Sequence, residues 1–276
     1  MSIRIVTDSA CDLPDELVER HGIEVVPLNI RFGDEEYVDR FELDVASFYD
    51  KLAHHESLPE TSAPAPGRFA EAFQRQADAG ADTVICVNIS SALSATMESA
   101  QQAAKSVDVD VRVVDSLSVS GAIGLACVEA AEAAEEGRSA DDIVAMLEER
   151  APRTHIYGAL NTLENLKKGG RIGGAQALLG NMLAIKPILA IDNGKVEEAS
   201  KQRTRKKALA WLRDRALADD VEDLMVLNGM APDFDEFLDT LAPKYGRDDL
   251  YLATIGPVIG THAGPGVIGI GFRTKP

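Results

Sequence analysis

Short apolar runs recur along the first half of the chain, each closed by polar or turn-forming residues. Residues 3–7, 23–30, 83–89 and 111–114 read as buried strands. Between them the apolar spacing changes to that of helices. Phe48, Tyr49 and Leu52 begin one such pattern, and Phe69, Ala72, Phe73 and Ala77 form another. The stretch P-E-T-S-A-P-A-P-G, residues 59–67, ahead of the second pattern reads either as a plain linker or as the approach to a helix entrance. Residues 118–136 predict a long Ala-rich helix, and residues 140–150 a shorter one with Ile143, Val144 and Leu147 inward. Strand and helix alternating to about residue 150 predict an α/β fold with a parallel sheet covered on both faces. A domain boundary is expected near Pro152, giving an N-terminal α/β domain over residues 1–152 and a C-terminal α/β domain over residues 153–276. The second half is less regular. Residues 156–160, 224–227, 251–255 and 267–272 read as strands, residues 186–198 as a hairpin around Asn193-Gly194, and residues 234–241 as a helix.

Composition narrows the class of protein. No uncharged apolar run approaches the ~18–20 residues that a membrane span needs. The opening M-S-I-R-I-V-T-D enters a strand pattern without a secretory leader, so a cytoplasmic protein with no transmembrane segment is expected. Cys11, Cys86 and Cys127 are odd in number and widely spaced, which argues against a disulfide framework, and no metal-ligand spacing occurs. Net charge is −17 and unevenly spread: residues 1–150 carry 30 acidic and 11 basic side chains, residues 151–276 carry 15 and 17. An acidic surface repels a nucleic-acid backbone, whereas the basic second half could meet a phosphate or an acidic partner.

The candidate chemistry lies where strands end. Residues 255–266, I-G-P-V-I-G-T-H-A-G-P-G, read as a loop in which four glycines and two prolines frame Thr261 and His262. His262 is either aimed at a polar or anionic ligand group or is a solvated turn residue. Thr61 and Ser62 stand beside a helix entrance. Ser90 or Ser91 can cap the helix that follows, placing Ser94 near a first turn whose free N–H groups suit a carboxylate or phosphate. The glycines around Arg171, in L-E-N-L-K-K-G-G-R-I-G-G, leave its guanidinium able to pair with an oxyanion, but no P-loop ending follows. T-D-S and D-L-P, between Thr7 and Pro14, read as turn chemistry and an N-cap. Residues 201–215 predict a helix with Ala208, Leu209, Leu212 and Ala216 buried and Arg205, Lys206 and Arg213 largely outside.

Taken together, eight blocks in order across nearly the whole chain resemble the DegV family, the lipid-binding subunits of bacterial fatty-acid kinase. They are T-D-S-A-C-D-L-P from Thr7, T-S-A-P from Thr61, L-S-A-T from Leu93, D-S at Asp115, L-K-K-G-G-R-I from Leu166, K-P-I-L from Lys186, K-Q-R-T-R from Lys201, and the closing Gly-rich stretch. The resemblance implies an N-terminal parallel sheet with helices on both faces, a second α/β domain with a mixed sheet, and one long-chain, palmitate-like fatty acid in a tunnel between them. It implies that Thr61, Ser94 and His262 bind the carboxylate, and that Ser62, Arg171, Arg203 and Thr261 serve the head group or kinase coupling. It implies a carrier, not an enzyme. ATP and magnesium would belong to a partner kinase, which would form an acyl phosphate for phospholipid metabolism. Two positions depart from the family pattern: L-S-A-T-M stands where L-S-G-T-Y is usual, so Ala95 adds a methyl where backbone would approach the ligand, and Met97 replaces an aromatic with a flexible side chain expected to line an adaptable tunnel.

The chemistry also has a reading without the family. Each buried methylene contributes about 0.8 kcal/mol, so an apolar tunnel alone can supply most of a fatty acid's affinity. The carboxylate must be hydrogen-bonded where it is buried, which hydroxyls and an imidazole can do. No nucleophile-base triad motif, metal cluster or phosphate loop is present in the sequence. The competing class is an autonomous small-molecule phosphotransferase using the Gly-rich stretches around Arg171 and His262. A basic-helix regulator of nucleic acid is a third, disfavoured by the net charge.

Overall fold

The computed structural model describes residues 2–275. Strand β1 (Ile3–Asp8) and a 3-10 turn lead into helix α1 (Asp15–His21), followed by β2 (Glu24–Val26), β3 (Asn29–Phe32), β4 (Glu35–Val38), α2 (Val45–His54), β5 (Glu60–Ser62) and α3 (Pro66–Asp78). Next come β6 (Thr83–Asn88), α4 (Thr96–Ala104), β7 (Asp110–Asp115), α5 (Gly121–Glu135) and α6 (Ala140–Arg150). The remainder comprises β8 (Thr154–Ala159), α7 (Glu164–Lys168), a 3-10 segment Gly173–Ala184, β9 (Lys186–Asp192), β10 (Lys195–Gln202), α8 (Arg205–Ala216), β11 (Val221–Gly229), α9 (Phe234–Asp239), β12 (Tyr251–Thr254), α10 (Pro257–Ala263) and β13 (Val267–Thr274).

Among the described residues the strands form three sheets. The first, ordered β2-β1-β6-β7, is parallel throughout. Its central strands β1 and β6 are buried along most of their length because both faces are covered there. Val6, Val84 and Cys86 pack with Phe69 and Phe73 of α3 and Ala100 of α4, while Ile5, Ile85 and Val87 pack with Ile123 and Cys127 of α5. The second, ordered β10-β9-β8-β13-β11-β12, is mixed, with only the β11–β12 pair parallel. Its outer face is built from Ile268, Ile270 and Phe272 of β13 against Ala208 and Leu212 of α8 and Phe237 and Leu238 of α9. Period-2 alternation turns Val267 and Gly269 to the opposite face, toward the first sheet. The third, β4-β3-β5, is a small antiparallel sheet.

Helix α5 lies between the two large sheets, and its sequence fits that place. A carbon added at Gly121 would come 2.9 Å from Leu227, and one at Gly124 would come 2.9 Å from the Cys11 carbonyl. Ala122, Ala130, Ala131 and Ala133 are likewise buried, so the helix approaches both sheets closely. A helix apolar on all sides is a buried one. One core cluster therefore runs from Ile5 through α5 to Met225, Leu227 and Val267.

Several expectations need correction. Residues 23–30 are not one strand: the chain breaks at Pro27, which lacks an N–H for the ladder, and β2 and β3 belong to different sheets. Residues 60–62 are not linker but β5, paired with β3. The long helix starts at Gly121 rather than Ser118. The Gly-rich stretch 255–266 is mostly the short helix α10. Pro257 occupies its first turn, where a missing N–H costs nothing, and only Gly264 and Gly266 take positive φ. Arg205 is not on the outside: its guanidinium pairs with both Asp233 carboxylate oxygens at 2.9 Å and donates to the Ala159 carbonyl.

Candidate functional site

Between the two large sheets lies an apolar cavity of about 200 Å³. That is more than ten times the ~10–15 Å³ a single water requires. The first half contributes Leu28, Ile89, Leu93 and Val119 to its wall, and the second contributes Ile156, Leu160, Leu189, Leu227, Val258 and Val267. Its floor is the inner face of the mixed sheet. There Gly158 and Gly269 stand opposite each other on β8 and β13, flanked by Leu189 and Leu227, so the sheet is bare of side chains across its two middle strands.

The side-chain polar groups are few: Thr61, Ser94, Ser120, Arg171 and His262. Thr61 reaches the cavity because β5 pairs with β3, placing Thr61 opposite the buried Ile30 and turning Ser62 the other way, to solvent. Its Oγ1 lies 2.9 Å from His262 Nε2 across 201 residues of sequence. His262 sits in the last turn of α10, where the start of the arginine loop packs closely on its ring at Gly169. Burial, with the nearby Arg171 charge adding to it, pushes the imidazole pKa down to about 4. The ring is therefore neutral near pH 7. One of its nitrogens carries the proton, and Nδ1 has no hydrogen-bond partner among the described residues.

Ser94 is placed differently from expectation. The α4 helix begins two residues later, and the Ser94 hydroxyl lies 2.8 Å from the Thr96 hydroxyl and accepts from the Thr96 N–H at 3.3 Å. Ser90 and Ser91 do not cap this helix: Ser90 donates to the Gly194 carbonyl at the tip of the β9–β10 hairpin, and Ser91 to Asp115. Arg171 is held by two carbonyls, donating to Leu93 at 3.1 Å and Gly169 at 2.7 Å. It thus ties the 169–171 loop of the second half to the Ser94 loop of the first. Ala95 lines the cavity, and Met97 is not among the lining residues.

Three further candidates lie elsewhere. Thr261 is buried with its hydroxyl unpartnered among the described residues, but its role in the fold is through its carbonyl, which accepts from Asn165 Nδ2 at 3.0 Å. Ser62 is exposed, and Arg203 is exposed on the turn between β10 and α8. The sequence reading passed over Ser120, on the cavity wall, and Asn165, which secures the α10 helix. Ser120 carries φ 56 and ψ −141, a conformation costly for a residue with a side chain, and no local pattern announces it. Among the described residues no group of side chains is arranged to hold a metal ion, and no helix is long and apolar enough to cross a membrane.

The chain is similar to known proteins along its whole length. A DegV domain-containing protein of Streptomyces coelicolor is 40% identical over 274 residues, 97% of each chain. Protein DegV of Bacillus subtilis is 35% identical, with 98% of each chain covered. Among solved structures, a DegV family protein from Thermus thermophilus, described for its fatty-acid binding, superposes with a TM-score of 0.90 at 35% identity over all of both chains. DegV from Bacillus subtilis, described as a fatty acid binding protein, gives 0.87 at 34% identity over all of both chains. A stearic acid-binding protein from Eubacterium ventriosum gives 0.86 at 27% identity, covering 99% of this chain and 98% of that one. The family profile described as "Uncharacterised protein, DegV family" matches residues 2–275, and with these relatives at full length the chain belongs to the DegV family.

Proposed function

We propose that the protein binds one long-chain fatty acid in the cavity between its two large sheets and presents the carboxylate to a partner kinase. The observation that carries this reading is the cavity itself: an apolar trough that ends at a small group of hydroxyls, one neutral imidazole and one arginine. On this reading residues 1–152 and 153–276 act as two domains closing on the ligand, with Met1 and Pro276 outside the described residues. Roughly 14 buried methylenes at about 0.8 kcal/mol each supply on the order of 11 kcal/mol before the costs of association. The carboxylate takes hydrogen bonds from Thr61, Ser94 and His262.

A neutral ring suits this task. It satisfies one oxygen without an ion pair, so the carboxylate keeps its nucleophilic character for attack on a phosphoryl group. The protein is thus a carrier subunit, with ATP and magnesium supplied by the kinase and an acyl phosphate as the product. Arg203, exposed on the turn between β10 and α8 within the basic stretch 201–207, serves kinase coupling in this scheme. Arg205 does not, since Asp233 holds it.

The test is incubation of palmitate-loaded protein with ATP and magnesium, with any acyl phosphate trapped as a hydroxamate. The carrier forms none alone and forms it when a fatty-acid kinase is added. Product from this chain alone would overturn the carrier reading in favour of an autonomous phosphotransferase.

A further inference from the structure

The T-D-S-A-C-D-L-P stretch is used by nothing in the site so far, yet its second aspartate reaches the start of α10, which lines the cavity, and Ser120, the cavity-wall residue that leads into α5. Asp12 is buried, at 8% exposure, on the turn after β1. One carboxylate oxygen accepts from the Gly256 N–H at 2.9 Å, and the other accepts from the Ser120 hydroxyl. Gly256 is the residue immediately before α10, and Ser120 the residue immediately before α5. A single side chain thus joins β1 to two helix starts distant in sequence.

Two details show that this contact is tightly fitted. A carbon added at Gly256 would come 2.8 Å from the Asp12 carboxylate. Ser120, on the cavity wall, is held at φ 56 and ψ −141, and such a conformation persists only where surrounding contacts impose it. The hydrogen bond to Asp12 is one such contact. The far end of α10 is secured separately by Asn165 on the Thr261 carbonyl, and the chain before it by Tyr49 on the Ile255 carbonyl at 3.1 Å. His262 follows directly on the Thr261 support, six residues beyond Gly256 and about 9 Å along the helix.

We infer that Asp12 is a positioning residue: by fixing the starts of α5 and α10 against each other, it sets His262 against Thr61. The consequence for ligand binding rests on the fatty-acid reading above, but the placement of His262 does not. The uncharged analogue should serve nearly as well as the carboxylate. Asparagine can accept from the Gly256 N–H and donate to the Ser120 hydroxyl oxygen, whereas alanine can do neither.

The experiment compares wild type, Asp12→Ala, Asp12→Asn and Gly256→Ala, each full length and delipidated, by nitrogen-15 NMR titration of the His262 ring and by palmitate binding. The Arg171 charge that faces the ring is common to all four. In Asp12→Ala α10 shifts and the ring loosens from Thr61 and gains access to water, so the burial that depresses its pKa is relieved and the value rises from about 4 toward the ordinary 6.5, and palmitate binds roughly tenfold more weakly. Asp12→Asn restores both. A folded Asp12→Ala variant with an unchanged His262 titration overturns the inference, whatever its lipid affinity. Should that variant fail to fold, Gly256→Ala decides: the added carbon displaces the Asp12 contact and moves the His262 pKa, and an unmoved titration overturns the inference. Wild type that takes up no palmitate would defeat the fatty-acid reading while leaving the ring titration to judge Asp12.

Discussion

On the proposed reading a neutral imidazole, a threonine hydroxyl and a serine hydroxyl hold the carboxylate, and so modest a set of groups has consequences. Because burial holds His262 near pKa 4, below its ordinary 6.5, the ring is uncharged from about pH 6 to 8. Palmitate affinity is therefore predicted to be flat over that range, as calorimetric titration at several pH values would show. A steep rise on acidification through pH 6.5 would mean that the ring binds as a cation. A second prediction concerns the tail. Gly158 faces Gly269 across the bare floor, and a carbon at Gly158 would sit 3.2 Å from Leu160. Gly158→Val should fill the trough and shift the co-purifying fatty acids to shorter chains, read by mass spectrometry of the extract. The polar residues that meet at the cavity were partly legible, because a hydroxyl or an imidazole beside Gly and Pro turn signals is visible in sequence. Choosing within adjacent pairs was not. Thr61 and Ser62 differ only in which way β5 turns them, and that depends on pairing with β3, some 30 residues earlier. Likewise His262 faces the cavity while Thr261 turns its carbonyl to Asn165.

At the scale of elements, α10 decides the site. Its helical nature was hidden because Gly and Pro are read locally as loop signals, whereas here Gly260 is required by packing. A carbon there would lie 2.8 Å from the Phe48 ring and 2.9 Å from the Tyr49 hydroxyl. Gly260→Ala is accordingly predicted to destabilise by about 1–3 kcal/mol, as overpacking usually does. A thermal melt should fall by several degrees, with palmitate retention reduced because α10 shifts. Unaltered melting would mean that α10 is more loosely docked than this packing implies. The β9–β10 hairpin was legible from Asn193-Gly194 alone, since that turn chemistry is local. Its docking on Ser90 was not, because a contact across 104 residues leaves no mark on either segment.

At the scale of the whole molecule, the described residues include three buried carboxylates whose pKa values are raised by burial, Asp8 and Asp39 to about 6 and Asp12 to about 7, from an ordinary 3.8. The folded state keeps these protons where the unfolded chain has released them, so their contribution to stability declines as pH rises from about 4 through 7. His262 and His155, both lowered, act in the opposite sense only below their ordinary 6.5. With a net charge of −17 adding self-repulsion, the carboxylate gain at pH 6 outweighs the histidine loss there, and melting should be a few degrees higher at pH 6 than at pH 8, a net difference on the order of 1 kcal/mol. An equal or higher melting temperature at pH 8 would contradict this. The layered architecture was readable from alternating strands and helices. The single core joining both halves through α5 was not, since an Ala- and Gly-rich helix does not say how many sheets it touches. The central claim is that this core encloses a fatty acid, and the most direct measurement is native mass spectrometry of the purified protein followed by organic extraction. The account predicts near-stoichiometric long-chain fatty acid in wild type, lost when Thr61 and Ser94 are both replaced by alanine. An empty protein that also fails to take up added palmitate would contradict it.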